Sequence, residues 1–382
     1  MFNVTYLIES IFGIGSSEQL GKRLKEYGCT KILYVYDPAM GMLGFAEKVR
    51  AVMEAKGIET VDFTGVVSEP TTIMVDEAIK IARDAKVNGV VGFGGGSSMD
   101  VAKMVGAMLV NEGCIGDYVG KNKGKPMKSF SPIVLMPTTA GTSAEITRGA
   151  VVTDSTTGFK TSAKQRGTLA IIDPQFTAGL PPSATASTGI DMLSHATESF
   201  INHKPHWLSD VLDEKAIELI FKYLPRAVKD GSDMEAREQL SFACMMTGYA
   251  FGDNGTTMGH AIANRISDKY HYAHGVGCGL GLYVVVRYSV LGNTEKMLRM
   301  AKAIGIDVPE NPDIAEIGKQ VVEAYDNLQK CVGMKTMRKM GLDEAFIEKA
   351  IEELPSDYRF KGSPYAPDFK LVNKAVWEAY NM

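Results

Sequence analysis

The stretch GVVGFGGGSSMDVAK, Gly89 to Lys103, decides the fold. A short β-branched run leads into three consecutive glycines, and a helical pattern follows, so the segment reads as a strand, a tight turn and a helix. In that context backbone N–H groups and the helix dipole hold a pyrophosphate, and glycine keeps a Cβ out of the way of the phosphate oxygens. The GxGxxG pattern is incomplete, because its last position is Ser97, and no acidic residue stands at the usual distance downstream. A merely tight strand-to-helix turn therefore stays open at this point.

The same rhythm extends to either side. KILYVYD (Lys31 to Asp37), IETVDF (Ile58 to Phe63), PIVLMP (Pro132 to Pro137), AVVTD (Ala150 to Asp154) and LAIID (Leu169 to Asp173) read as strands. Helical patterns fall around Gly44 to Lys56 and Thr72 to Lys86, which is the βαβ alternation of a parallel sheet covered by helices. Beyond LPPSATAS (Leu180 to Ser187) the β-branched runs give way to apolar residues at three and four spacing, as in Trp207 to Val228 and Met234 to Ala250. The expected architecture is an α/β N-terminal dinucleotide-binding domain with a parallel sheet, residues 1–180, plus an all-α C-terminal domain, residues 181–382, divided at Pro181-Pro182, where the prolines stop a strand.

Bulk properties narrow the class. A chain of 382 residues, 45% hydrophobic and with a net charge of -4, is long enough for two self-sufficient cores and lacks the basic surface that nucleic acid requires. The five cysteines, Cys29, Cys114, Cys244, Cys278 and Cys331, form no CxxC pair and read as reduced, mostly buried thiols. MFNVTYLIES has no basic segment leading into an apolar one, and no run of eighteen apolar residues occurs, so a cytoplasmic protein with no membrane or nucleic-acid partner is expected.

Two further segments fit a dinucleotide. Asp37 ends a strand, where its carboxylate would accept from an adenosine ribose and repel a 2'-phosphate, favouring NAD over NADP; capping the turn at Pro38 is the equal alternative. MPTTAGTSAE (Met136 to Glu145) sets hydroxyls beside a glycine after another strand. For a metal, IDMLSHATES (Ile190 to Ser199) places Asp191 and His195 four residues apart, on one face of a helix. In GHAIANRISDKYHYAHG (Gly259 to Gly275), His260 and His274 would complete the set, with His271 a neighbour and His203 and His206 surface or packing residues. One carboxylate and three imidazoles suit Fe2+ or Zn2+, and Mn2+ less well.

Taken together, GGGSSMDVAK, PTTAGTSAE, IIDPQFTAGLPPSATASTGIDMLSHATES and the histidine-rich segment resemble the iron-containing (group III) alcohol dehydrogenases, in the same order and from Lys31 to the SPYAPDF that starts at Ser363. The resemblance implies a cleft between the two domains that holds NAD and a divalent metal, Fe2+ first, with Asp191, His195, His260 and His274 as the ligands and catalytic centre. It also implies cofactor contacts from Asp37, Gly95, Gly96, Ser97, Asp100, Thr138, Thr139, Thr142, Thr147, Val151 and Lys160, substrate contacts from Gly149 and Phe251, and a homodimer or larger homo-oligomer. The implied reaction is hydride transfer between nicotinamide C4 and a metal-bound short-chain aldehyde or alcohol.

Departures from the family pattern concern the substrate. Where many members keep a histidine followed by a proline, this chain has Asn264 and Arg265, which removes a histidine proton relay at that point and leaves water, the cofactor ribose or His271 to carry the proton. Arg148 stands where a small or apolar residue is usual, and Arg359 aligns with the family's pocket wall. Guanidinium groups match sulfonate or carboxylate oxygens, so an anionic substrate, sulfoacetaldehyde or a semialdehyde acid, is expected unless these arginines are tied up by neighbouring acids. Three other readings stay open: a neutral short-chain alcohol or diol dehydrogenase, a dehydroquinate-synthase-like lyase that would accumulate neither NADH nor NAD, and a silent binding scaffold.

Overall fold

The computed structural model describes residues 8–119, 127–203, 206–360, 363 and 368–382. Residues 1–7 of the N-terminal segment, 204–205 of NHKPHW and 364–367 of SPYAPDF lie outside the described residues. The chain divides into two compact units, Tyr6–Gly179 and Leu180–Met382.

The first unit is built on β1 (Glu9–Phe12), α1 (Leu20–Glu26), β2 (Lys31–Tyr36), α2 (Pro38–Met42), α3 (Phe45–Glu54), β3 (Glu59–Phe63), α4 (Thr72–Asp84), β4 (Gly89–Gly94), α5 (Gly96–Met108), β5 (Ile133–Pro137), β6 (Gly149–Thr153), β7 (Lys160–Lys164) and β8 (Leu169–Ile172). Six strands form a parallel sheet in the order β1-β8-β5-β4-β2-β3. Both faces of the four central strands, β8, β5, β4 and β2, are buried, which is why they read as continuous apolar runs. Leu33, Val35, Val90, Ile133 and Leu135 pack with α4 and α5 residues such as Ile79 and Val101. Ile32, Tyr34, Val91, Phe93 and Met136 pack with Leu24 of α1 and Val49 of α3. From β2 the chain steps outward to β3 and then returns on the other side to β4, so the strand order reverses between β2 and β4. In open α/β sheets ligands bind at the carboxyl ends beside such a switch point.

Two strands escaped the sequence reading. ESIF and KTSAK are short and rich in polar residues, so neither gives a β-branched run. KTSAK pairs antiparallel with β6, which takes AVVTD out of the parallel sheet and into a separate two-stranded ribbon.

The second unit is helical in its described residues: α6 (Pro182–Ile201), α7 (Trp207–Lys229), α8 (Met234–Asn254), α9 (Met258–Tyr270), α10 (His274–Gly292), α11 (Thr294–Ala303), α12 (Ile314–Cys331), α13 (Glu344–Glu353) and α14 (Phe369–Tyr380). The proline pair does not stop a strand as expected. Pro182 opens α6, at the helical position where a missing N–H leaves no bond unmade. Helix α10 packs against α6 and α9 at backbone distance. A Cβ on Gly275 would fall 2.1 Å from the Ser187 carbonyl oxygen of α6, and one on Gly281 2.3 Å from that of Gly259 in α9. No helix among the described residues is long and apolar enough to cross a membrane.

Candidate functional site

In the first unit, the residues read as dinucleotide contacts gather at the carboxyl ends of β2, β4 and β5. Gly94 turns the chain out of β4 with φ +150°, and a Cβ there would lie 2.6 Å from Ser98 Oγ and 3.0 Å from Asp37 Oδ2. Asp37 is thus at the turn, while its Oδ1 accepts from Ala39 N at 3.0 Å and caps α2. Helix α5 begins at Gly96 with no side-chain cap from Gly95, leaving its first-turn amides without that partner. The loop after β5 closes on the same turn: Thr138 N donates to Gly94 O at 3.0 Å, and Cβ positions on Gly95 and Gly96 would lie 3.8 Å from Thr139 and 3.0 Å from Thr142.

Other expected contacts are engaged within the protein. Buried Asp100 accepts from Val151 N at 2.9 Å and from Lys103 Nζ at 3.2 Å, bracing α5 against β6, and Lys103 also donates to Gly149 O at 2.6 Å. Ser97 Oγ donates to Ser68 O at 2.8 Å, Thr147 N to Ser143 O at 3.1 Å, and Lys160 pairs with Glu69 at 2.9 Å.

In the second unit α6, α9 and α10 bring the expected ligands around one oxygen. Asp191 Oδ1 lies 3.8 Å from His195 Nδ1, 3.7 Å from His260 Nε2 and 3.8 Å from His274 Nε2. Asp191 is 2% exposed, and neither its Oδ1 nor His195 Nδ1 makes a hydrogen bond. Donors about 2.0 to 2.2 Å from a tetrahedral ion sit roughly 3.3 to 3.6 Å from one another. The observed spacings are slightly wider, too long for hydrogen bonds and close to what an ion between the donors would set. Four donors, from Asp191, His260, His274 and Cys278, lie within 4.8 Å of one another. His195 is not in that group, and Cys278, one helical turn beyond His274 on α10, is.

A carboxylate not singled out from the sequence organises this cluster. Glu198 is fully buried, seven residues past Asp191 on the same face of α6. Its Oε1 accepts from His260 Nδ1 at 2.5 Å and Ser194 Oγ at 2.9 Å, and its Oε2 from Thr257 N at 2.6 Å, Thr257 Oγ1 at 2.8 Å and His260 N at 3.3 Å. Glu198 thereby caps α9, which has no side-chain cap of its own, and directs the other imidazole nitrogen of His260 toward Asp191. The spacing Asp191, His195, Glu198 was the available signal, since residues four and seven apart share a helix face.

Buried carboxylates and imidazoles here set one another's charge. Burial raises the Asp191 carboxyl, but His195, His260 and His274 outweigh it and hold the group far below the usual carboxylate range. Glu198, likewise raised by burial, is pulled down to about 2 by His260 and its hydrogen bonds. Burial opposes a proton on His260, yet Cys278, Glu198 and Asp191 keep it well above the ordinary value. Burial lowers His195 to about 4, which keeps its imidazole neutral near pH 7, and pushes the Cys278 thiol up to about 12.

Among the expected substrate residues, Phe251 stacks on His195 with ring centroids 4.2 Å apart and planes 8° from parallel. Asn264 is half-buried on α9, one turn after His260. Arg265 donates to Ala261 O at 3.1 Å, Glu353 O at 2.8 Å and Asp357 Oδ2 at 3.4 Å. Arg359 reaches the same Asp357 at 3.4 Å, so one carboxylate engages both arginines. Exposed His271 caps α9 in the left-handed conformation, φ 54°. Arg148 belongs to the other unit, just before β6.

Comparison with known proteins agrees along the chain. The iron-containing alcohol dehydrogenase family model matches residues 9–174, and that family's C-terminal model matches residues 185–368. The chain is 33% identical to the choline dehydrogenase of Bacillus subtilis, over 97% of this chain and 93% of that one. It is 31% identical to the NAD-dependent methanol dehydrogenase of Bacillus methanolicus, over 93% of each. The solved sulfoacetaldehyde reductase of Bifidobacterium kashiwanohense, in complex with NAD+, superposes with a TM-score of 0.90 at 27% identity, covering 100% of this chain and 99% of that one. Matched in both halves and at full length by alcohol-oxidising and aldehyde-reducing relatives, this oxidoreductase belongs to the iron-containing alcohol dehydrogenase family.

Proposed function

We propose that the protein is an NAD(H)-linked, metal-dependent alcohol dehydrogenase acting mainly as a reductase of short-chain aldehydes. Residues Tyr6–Gly179 serve as the dinucleotide domain and Leu180–Met382 as the metal and substrate domain. The observation that carries this reading is Asp191 Oδ1, buried without a hydrogen bond and ringed by three imidazole nitrogens at 3.7 to 3.8 Å.

Asp191, His195, His260 and His274 would hold the metal, and a bound divalent ion supplies Lewis acidity toward the substrate oxygen. The chain's own residues do the rest. Glu198 fixes the tautomer and direction of His260, with Thr257 and Ser194 holding Glu198 in turn. The Phe251 ring against His195 gives the substrate an apolar wall that excludes water. In the other unit the Gly94–Gly96 turn and the uncapped start of α5 bind the pyrophosphate, Thr138, Thr139 and Thr142 line that turn, and the Asp37 carboxylate selects NAD over NADP. Asn264, an amide that does not titrate, leaves the transferred proton to water, the cofactor ribose or His271.

Two substrate classes are compatible with this chemistry. An anionic aldehyde such as sulfoacetaldehyde would be recognised by Arg359, and the likeness to a sulfoacetaldehyde reductase supports it. A neutral short-chain alcohol or diol is favoured by Asp357 and Glu353, whose two carboxylates lie beside Arg265 and Arg359 and offset their charges. The test is NADH oxidation with sulfoacetaldehyde, succinic semialdehyde and propanal, together with metal analysis of protein purified without chelators. A higher kcat/KM for propanal removes the anionic reading. Full turnover by Asp191→Ala removes the metal reading, and so does a protein that is active without metal.

A further inference from the structure

Cys278 stands among the metal donors, although its residue type lies outside the set of one aspartate and three histidines. Its Sγ lies 3.7 Å from His260 Nε2 and 3.5 Å from His274 Nε2, the same two nitrogens that face Asp191 Oδ1. With metal–sulfur and metal–nitrogen bonds of about 2.3 and 2.05 Å, ligand angles of roughly 90 to 110° set the sulfur and nitrogen ligands of one ion about 3.1 to 3.6 Å apart. The two observed separations lie around the upper end of that range. A second observation points to a ligand independently: the Asp191 oxygen facing the same nitrogens is buried and accepts no hydrogen bond. Cys278 itself is fully buried. It sits at i+4 from His274, so α10 delivers both donors from one face.

We propose that the Cys278 thiolate is a further direct ligand of the metal that Asp191, His195, His260 and His274 would hold. The inference rests on the metal reading above and extends it to a residue that reading does not use. On binding, the Sγ–H bond is replaced by an Sγ–metal bond and the proton leaves to solvent, with no change of oxidation state. A thiolate makes the donor set softer, shifting preference from Mn2+ and Fe2+ toward Zn2+. The metal content of the purified protein should follow.

The test uses the full chain loaded with Co2+ and, separately, with Zn2+. Thiolate ligation predicts a sulfur-to-cobalt charge-transfer band in the near ultraviolet, absent from Cys278→Ser. Zinc-edge X-ray absorption should give a sulfur shell at about 2.3 Å in the wild type. Zn2+ affinity in chelator competition should fall at least tenfold in Cys278→Ser, while Mn2+ affinity changes less. A wild-type protein that binds one ion with only nitrogen and oxygen neighbours overturns the proposal and leaves the metal reading standing. A protein that binds no ion overturns both. If Cys278→Ser does not fold, the wild-type cobalt and zinc spectra decide alone.

Discussion

Replacing Glu198 with glutamine tests the support of the metal centre through a change of one atom. The carboxylate accepts from five donors, two of them rigid backbone N–H groups, Thr257 N and His260 N, and one the ring nitrogen of His260. An amide has one accepting oxygen. If that oxygen faces His260 Nδ1, the NH2 group faces the two backbone donors, and leaving each unsatisfied costs about 1 to 3 kcal/mol. If the amide is turned round, its NH2 donates to Nδ1, and the imidazole proton moves to Nε2, the nitrogen aimed at Asp191. The second arrangement strands no backbone group, so Glu198→Gln should fold but present a protonated nitrogen where a metal needs a lone pair. Changes of this kind weaken metal binding roughly 10 to 100-fold, or about 1.4 to 2.7 kcal/mol. Zn2+ affinity measured against a chromophoric chelator should fall by that factor. The rise in Tm on adding Zn2+ should shrink by about 3 to 11 °C for a domain of this size. A Glu198→Gln protein with wild-type Zn2+ affinity and an unchanged metal-induced rise in Tm would refute the argument.

Gly281→Ala places a methyl 2.3 Å from the Gly259 carbonyl oxygen, forcing α10 away from α9. Overpacking against rigid backbone costs about 3 kcal/mol, less the roughly 0.8 to 1 kcal/mol that alanine gains over glycine in a helix, so calorimetry should show Tm lowered by roughly 4 to 9 °C, with weaker metal binding; an unchanged Tm would show that the helices are not in backbone contact. The Glu145 carboxyl supplies a pH test, because burial raises it from 4.5 to about 7. The unfolded chain loses this proton near the ordinary value while the folded chain keeps it, so the contribution is fully present below about pH 4.5 and lost as pH rises through about 7. The full effect is about 3 kcal/mol. In urea unfolding, Glu145→Gln should gain on the wild type between pH 5 and 8, and parallel curves would count against a buried neutral carboxyl.

The parallel sheet was legible because burial on both faces demands unbroken apolar runs, and KILYVYD, GVVGF and PIVLMP supply them. ESIF and KTSAK do not, since one is an edge strand and the other half of a ribbon whose residues alternate between exposed and covered. The candidate ligands were legible because carboxylate and imidazole are conspicuous residue types at telling intervals. Cys278 and Glu198 were not, although both lie at helical spacing from a histidine, because a buried thiol and a helix glutamate each have commoner uses. Asp100 shows the reverse. A carboxylate in the glycine-rich segment looks like a cofactor contact, yet it satisfies Val151 and Lys103. Only three-dimensional partners distinguish the two uses.

The glycines of α10 carry one more consequence. Gly275, Gly277, Gly279 and Gly281 occupy alternate positions in its first half, and each is less favourable in a helix than alanine by about 0.8 to 1 kcal/mol. Together they disfavour an isolated helix by roughly 3 to 4 kcal/mol. The segment is therefore a conditional helix, ordered by the backbones it docks against. Because His274 and Cys278 ride on it, ion capture and helix formation are one linked equilibrium, and free metal concentration should govern how often this segment frays.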